Sequence, residues 1–280
     1  MESSSSKDNS KENEEKEEYK KPKISQNKNN EKKIIIEKII YMNGIIDINK
    51  YIKGNYLGEG AYAKCYEFSD YDNYKKYAGK IIPKSSFKKS RIKNSLIKEI
   101  KIHSKLDHPN IVKFQHFFED AYNVYILLEL CENKTMNNLI KSRKILTELE
   151  VKYYIYNLTK AMQYIHSKRI IHRDLKIGNI FLTKNMEIKI GDFGFAVQLD
   201  YDKEKRKTIC GTPNYIAPEI INEQPYSYEV DIWSLGIIIY TLIFGKPPFD
   251  SKEEKKVYKK LKNFNIHFQK ISKYQKKLKI

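Results

Sequence analysis

Gly58-Glu59-Gly60-Ala61-Tyr62-Ala63 is a run in which a backbone can approach phosphate oxygens without interference from Cβ atoms. Such a run has two phosphate-binding uses. In one the glycines open a helix beneath a dinucleotide. In the other they form a hairpin folded over phosphates. The residues that follow, Lys64-Cys65-Tyr66-Glu67-Phe68, read as strand and favour the hairpin, with a plain turn as the bland alternative for the run taken alone. Ala63 holds the place of a third glycine, and its methyl is a small departure. Further on, Ala78-Gly79-Lys80 ends another strand-like run. Lys80 by itself would be a solvated edge charge. With Glu99 facing it, the same ammonium becomes a fixed point charge for phosphate oxygens. Three more strings follow in order: His172-Arg173-Asp174-Leu175-Lys176-Ile177-Gly178-Asn179, then Asp192-Phe193-Gly194, then Ala217-Pro218-Glu219. Their order is far more specific than any one of them. His172, although next but one to a carboxylate, reads as structural rather than catalytic.

The elements that must position these residues divide into two kinds. Tyr56-Leu57, Cys65 to Phe68 and Tyr77 to Ile82 read as short strands, Ser90 to His103 has helical spacing, and Ile111 to Phe118 and Val124 to Leu130 form a second strand pair. After Cys131 the pattern changes. Thr147-Glu148-Leu149-Glu150 is a capping box, with Tyr154, Ile155, Leu158, Ala161, Met162 and Ile165 at helical spacing behind it. Short strands are expected at Ile170-Ile171, Ile180 to Leu182 and Ile188 to Ile190. Helices are expected from Val230 to Phe244, ending at Gly245, and from Lys252 to Lys262. The fold class is α+β with two lobes: a small antiparallel β-lobe with one helix (51–130) and a larger, mainly helical lobe (131–263). Residues 1–33 are low-complexity and polar and read as disordered. Residues 34–50 read as a segment before the domain, and 264–280 as a Lys-rich tail.

The chain has 280 residues and a net charge of +18, with 40% apolar residues and a mean hydropathy of −0.66. Residues 251–280 carry eleven Lys against two Glu, so part of the excess is local. A basic binder of nucleic acid or anionic membrane therefore stands as an alternative resting on that tail alone, and nucleic acid is not expected as the main partner. The longest apolar run, Ile237 to Phe244, is too short to span a bilayer, and neither a transmembrane segment nor a signal peptide is expected. Cys65, Cys131 and Cys210 are scattered and match no zinc spacing, which suits a reducing cytosol or nucleus.

The ordered strings resemble those of the protein kinases over roughly Tyr51 to Lys260. The resemblance implies an enzyme using ATP and Mg2+. Asp174 would be the catalytic carboxylate for the substrate hydroxyl, Lys176 the loop lysine that neutralises transferring phosphate, and Lys80 with Glu99 the nucleotide-phosphate ion pair. Asn179 and Asp192 would be the magnesium ligands. Asp-Leu-Lys-x-x-Asn implies serine/threonine specificity. Thr208, in Lys205-Arg206-Lys207-Thr208-Ile209-Cys210, would be an activation-loop phosphosite with Arg173 as its partner. Thr212 would be the substrate-loop threonine bonded to Asp174 and Lys176.

Finer strings are similar to polo-like kinases: Gly58 to Cys65, Ala78 to Ser85, Phe117-Phe118-Glu119-Asp120, Leu128-Glu129-Leu130-Cys131 and Cys210 to Glu219. By that likeness Leu57 to Cys65 (Leu57, Gly58, Glu59, Gly60, Ala61, Tyr62, Ala63, Lys64, Cys65), Ala78, Leu128, Glu129, Cys131 and Phe181 line the ATP site. Cys65 and Phe181 would sandwich the adenine, Leu128 would be the gatekeeper, and Glu129 and Cys131 would offer hinge backbone groups. The resemblance further implies protein substrates with Ser/Thr near acidic residues, a monomer, a cell-cycle role, and a cytoplasmic or nuclear location, including the spindle pole. It departs in two places. No polo-box docking module is expected in this chain, and the helical lobe reads as short. No Arg follows Arg206 to pair with Glu219. A catalytically impaired or scaffold-like kinase is the alternative these departures motivate.

Overall fold

The computed structural model describes residues 33–262, apart from 43, 61, 89, 250 and 252. The expected polar tail up to residue 32 and the Lys-rich tail at 264–280 lie outside the described residues. The first lobe is an antiparallel sheet of β1 (Ile34–Ile40), β2 (Ile46–Glu59), β3 (Lys64–Asp70), β4 (Lys76–Pro83), β5 (Phe114–Glu119) and β6 (Asn123–Glu129), in spatial order β1-β2-β3-β4-β6-β5. Helix α1 (Ser90–His103) covers one face.

Residues 34–50, read from the sequence as a segment before the domain, instead supply β1 and the start of β2, and add a sixth strand to the sheet. The sequence hides this because Ile34 to Ile40 does not alternate apolar and polar residues, although the pairing is a local hairpin with Ile40 opposite Ile46. Although β1 and β5 are opposite ends of the strand order, the sheet curls until Glu37 of β1 meets His116 of β5. Glu37 is buried and also accepts from Tyr51 Oη and Asn49 Nδ2, both at 3.1 Å. A carboxylate this deep stays only because several donors satisfy it.

Side chains alternate along β4. Tyr77, Gly79 and Ile81 face an aromatic core, where Tyr51 stacks on Phe118 at 5.4 Å and Phe118 on Tyr125 at 4.8 Å. Ala78, Lys80 and Ile82 face α1 and the second lobe. Gly79 has to be glycine, since a Cβ there would lie 2.4 Å from the Phe68 ring.

The second lobe contains α2 (Met136–Arg143), α3 (Glu148–Ser167), β7 (Ile170–Ile171), β8 (Ile180–Leu182), β9 (Ile188–Ile190), β10 (Val197–Gln198), α4 (Pro218–Ile221), α5 (Glu229–Phe244) and α6 (Glu254–Lys262). α3 starts at the expected capping box: Thr147 N donates to Glu150 Oε2 at 2.8 Å, and Glu150 N donates to Thr147 Oγ1 at 3.3 Å. Its stripe of Leu158, Ala161, Met162 and Ile165 is fully enclosed, worth about 1.5–3 kcal/mol for each large side chain. α5 packs most of its apolar residues into the lobe, with Ile232 and Ile243 exposed, and Gly245 ends it at φ 77°. Val257 and Leu261 of α6 join the same core. Among the described residues no helix is long and apolar enough to cross a membrane.

Candidate active site

Lys80 leaves β4 on the face turned towards the second lobe. Its Nζ lies 2.7 Å from Glu99 Oε1 on α1 and 3.6 Å from Asp192 Oδ1, just beyond β9. Burial opposes the charged ammonium, but the Glu99 and Asp192 carboxylates outweigh it and hold Lys80 above the usual lysine range. Asp192 shows the mirror effect. Burial pushes its carboxyl up, yet Lys80, His172 and Lys176 together bring it below the ordinary value. Asp192 sits at φ 60°, an αL conformation uncommon for a residue with a Cβ, which aims its carboxylate back at Lys80.

Asp174 is buried in the loop between β7 and β8. Its Oδ2 accepts from Lys176 Nζ at 2.7 Å and Asn179 Nδ2 at 3.1 Å, while Oδ1 accepts from Thr212 Oγ1 at 2.6 Å. Lys176 Nζ also reaches Thr212 Oγ1 at 2.8 Å. Thr212 is brought in by Gly211, whose φ of +117° and close approach to the Arg173 carbonyl exclude a side chain; a Cβ would lie 2.9 Å from that oxygen. The Asn179 amide nitrogen is spent on Asp174, leaving its Oδ1 as a free type of donor for a hard cation. Among the described residues no cluster of three His, Cys, Asp or Glu can hold a metal. The Asn179 amide oxygen and the Asp192 carboxylate are hard oxygen donors of the type magnesium takes beside phosphate and water oxygens.

The loop that carries Asp174 hangs from α5. Asp231, fully buried, accepts from His172 N at 2.9 Å, Arg173 N at 2.8 Å and His166 Nε2 at 2.9 Å. That grip holds Arg173 at φ 66°. His172 accepts from Asp174 N through Nδ1, so Nε2 carries the proton and donates to Gly191 O at 3.2 Å. Both ring nitrogens are engaged with backbone, which agrees with a structural role. Phe193 packs between the rings of His103, at 4.6 Å, and His172, at 5.1 Å. Burial drives His103 down to about 4, so it is neutral.

The remaining sequence-selected residues fall along the sheet and the lobe junction. Cross-strand register sets Gly58 opposite Cys65, Cys65 opposite Lys80, and Ala78 opposite Leu128. Gly60 N bonds Ala63 O at 2.8 Å to close the hairpin turn, with Glu59 opposite Lys64; Leu57 and Tyr62 are exposed, and Ala61 lies outside the described residues. Glu129 pairs with Lys189 at 2.9 Å, and the Cys131 carbonyl accepts from Lys134 N. Phe181 lies on β8. Burial raises the Cys65 thiol to about 11 and the Cys131 thiol to about 12, so neither is a thiolate at neutral pH. Thr208 is exposed in the segment between β10 and α4.

A model of the protein kinase domain matches residues 51–280. The chain belongs to the protein kinase family. Similar proteins include "Probable serine/threonine-protein kinase CCRP1" of Zea mays, 56% identical over 84% of this chain and 38% of that protein. "Serine/threonine-protein kinase polo" of Drosophila melanogaster is 49% identical over 78% of this chain and 38% of its own length. "Probable serine/threonine-protein kinase PLK" of Dictyostelium discoideum is 50% identical over 86% of this chain and 25% of its own length. This kinase chain thus spans between a quarter and two-fifths of the length of these relatives. The two lobes expected from the sequence are those of the kinase fold.

Three residues of this kinase site escaped sequence reasoning. Asp231 is the third residue of α5, where an acid is ordinary. His103 is the last residue of α1. Tyr226 is one of 22 tyrosines in the chain. Each acts on a partner far along the chain, and a single sequence carries no signal for that.

Proposed function

We propose that this chain transfers the γ-phosphoryl group of ATP to serine or threonine hydroxyls of protein substrates, as the polo-like relatives' names indicate for them. The observation that supports this most is the double convergence at the lobe junction. Lys80, Glu99 and Asp192 meet on one side, and Asp174, Lys176, Asn179 and Thr212 on the other. In this reading Asp174 orients the attacking hydroxyl and takes its proton as the oxygen–phosphorus bond forms and the bond to the departing ADP breaks. A positioned base of this kind is worth about 10²–10⁴-fold. Lys176 offers positive charge beside Asp174, and Lys80, kept protonated by two carboxylates, is the point charge for the nucleotide phosphates. Asn179 Oδ1 and the Asp192 carboxylate would hold magnesium, which when bound neutralises charge developing on the phosphate oxygens. The hairpin between β2 and β3, with Gly58 and Gly60 open to solvent, is the phosphate cover. Cys65, Ala78, Leu128 and Phe181 would border the base, with backbone groups at Glu129 and Cys131.

In the same reading, substrates carry acidic residues near the target, and the setting is cell-cycle control in the cytoplasm or nucleus. Incubation with labelled ATP and casein, followed by phosphoamino-acid analysis, tests the reaction. Phosphoserine and phosphothreonine are the expected products. Label on tyrosine alone, or no label above a heat-denatured control, would overturn the reading.

A further inference from the structure

Tyr226 lies in the turn between α4 and α5, and its side chain is fully buried. Its backbone forms a two-bond bridge with the activation segment: Arg206 N donates to Tyr226 O at 2.8 Å and Tyr226 N to Arg206 O at 2.9 Å. Its hydroxyl donates to the carbonyl of Thr208 at 2.6 Å and accepts from Arg173 Nη1 at 3.3 Å. Arg173 itself donates through Nε to the Phe195 carbonyl at 2.7 Å. One phenol oxygen therefore joins both limbs of the segment to the residue that precedes Asp174. Around it, Arg206 Nη2 reaches Glu204 at 2.8 Å and the Gln198 carbonyl at 3.2 Å, and Lys205 pairs with Glu229 on α5 at 2.7 Å. The segment then runs through Gly211 to Thr212, which bonds Asp174.

We propose that Tyr226 is a positioning residue that latches the activation segment in its substrate-accepting arrangement through bonds made entirely by unmodified groups, so that a phosphate on Thr208 adds to this order and does not create it. The inference rests on the kinase reading only for its catalytic consequence. The latch itself is a statement about the fold. A hydrogen bond from a cationic guanidinium polarises the phenol and strengthens its bond to the Thr208 carbonyl. Removing the hydroxyl leaves that carbonyl without this partner and frees one arm of Arg173. Thr212, four residues beyond Thr208 on the same strand of chain, then loses part of its tether.

The test uses the full phosphatase-treated chain, intact and as Tyr226→Phe. Limited trypsin digestion read by mass spectrometry should cut after Lys207 about tenfold faster in the variant, the population change expected from one buried hydrogen bond left unmade. Cleavage after Lys184, in the turn between β8 and β9, should keep its rate and so exclude general loosening. With casein, KM for the protein substrate should rise about tenfold while KM for ATP stays within twofold, a split that a merely destabilised fold would not give. Hydrogen exchange on the intact chain needs no variant: the amides of Arg206 and Tyr226 should be protected alike. Equal cleavage after Lys207 in both proteins, or unprotected amides at Arg206 and Tyr226, would overturn the latch. Failure of casein phosphorylation by the intact chain would instead overturn the kinase reading, and the digestion and exchange results would still decide the latch.

Discussion

Replacing Asp231 with asparagine should cost both activity and stability, and the reason lies in how its two oxygens are shared. Oδ2 takes the His172 N–H and His166 Nε2, and Oδ1 takes the Arg173 N–H. An asparagine keeps one oxygen, which serves best where two donors meet. Its amide nitrogen then faces the Arg173 N–H. One buried donor is orphaned, at about 1–3 kcal/mol, and the two surviving bonds lose their charge assistance, so the total is about 2–4 kcal/mol. A domain of this kind has about 5–15 kcal/mol to lose, so the variant should fold. Catalysis suffers further, because Arg173 is held at φ 66° by the very bond that is lost. Such a backbone costs about 1–2 kcal/mol and relaxes once released, carrying Asp174 with it. A misplacement of about 1 Å costs around 10²-fold in rate. Urea unfolding and the turnover of casein phosphorylation, measured on the same preparation, check both halves. Unchanged turnover with lowered stability would refute the claim that Asp231 positions the catalytic loop, and unchanged stability would refute the hydrogen-bond accounting itself.

Gly79→Ala should lower the melting temperature by roughly 2–12 °C, since its methyl enters the Phe68 ring and overpacking costs about 1–3 kcal/mol; an unshifted melt would contradict the packing of the aromatic core. Thr212→Val should cut turnover about tenfold or more and Thr212→Ser should restore it, because only a hydroxyl can bridge Asp174 and Lys176; equal rates for Val and Ser would contradict the bridge. His103 titrates near 4 in the fold against about 6.5 unfolded, so it is neutral when folded. Between these values the unfolded chain binds the extra proton, so His103's contribution is complete above about pH 6.5 and is lost as pH falls towards 4, by about 3 kcal/mol in full. Its ring resonance in NMR should show no titration above pH 5, and a midpoint between 6 and 7 would contradict its burial.

The parts of this fold that were legible in the sequence are those whose information is local. α1 spans Ser90 to His103 as its spacing indicated, and α3 begins at the Thr147–Glu150 box because a capping box is written within four residues. β7, β8 and β9 were readable as short isoleucine-rich runs between turns. α2 was missed because only Met136 and Ile140 of its eight residues are buried, too few to show a period, although Thr135 and Asn138 do form a cap. β1 was missed as part of the lobe because Ile34-Ile35-Ile36-Glu37-Lys38-Ile39-Ile40 lacks the apolar–polar alternation of a half-buried strand, and only the curl of the sheet brings Glu37 to His116. At the site, Lys80, Glu99, Asp174, Lys176, Asn179, Asp192 and Thr212 sit in short strings with known order. Asp231 and Tyr226 work through backbone atoms up to 59 residues away, where residue type gives no hint.

The central claim is that Asp174, held between Lys176, Asn179 and Thr212, acts on the substrate hydroxyl while nucleotide binding rests with other groups. Asp174→Asn separates the two. The rate of casein phosphorylation should fall by about 10²-fold or more, while the upward shift in melting temperature caused by Mg-ATP stays as large as in the intact chain. A variant that transfers phosphate at the intact chain's rate would contradict the account, whatever its melting behaviour.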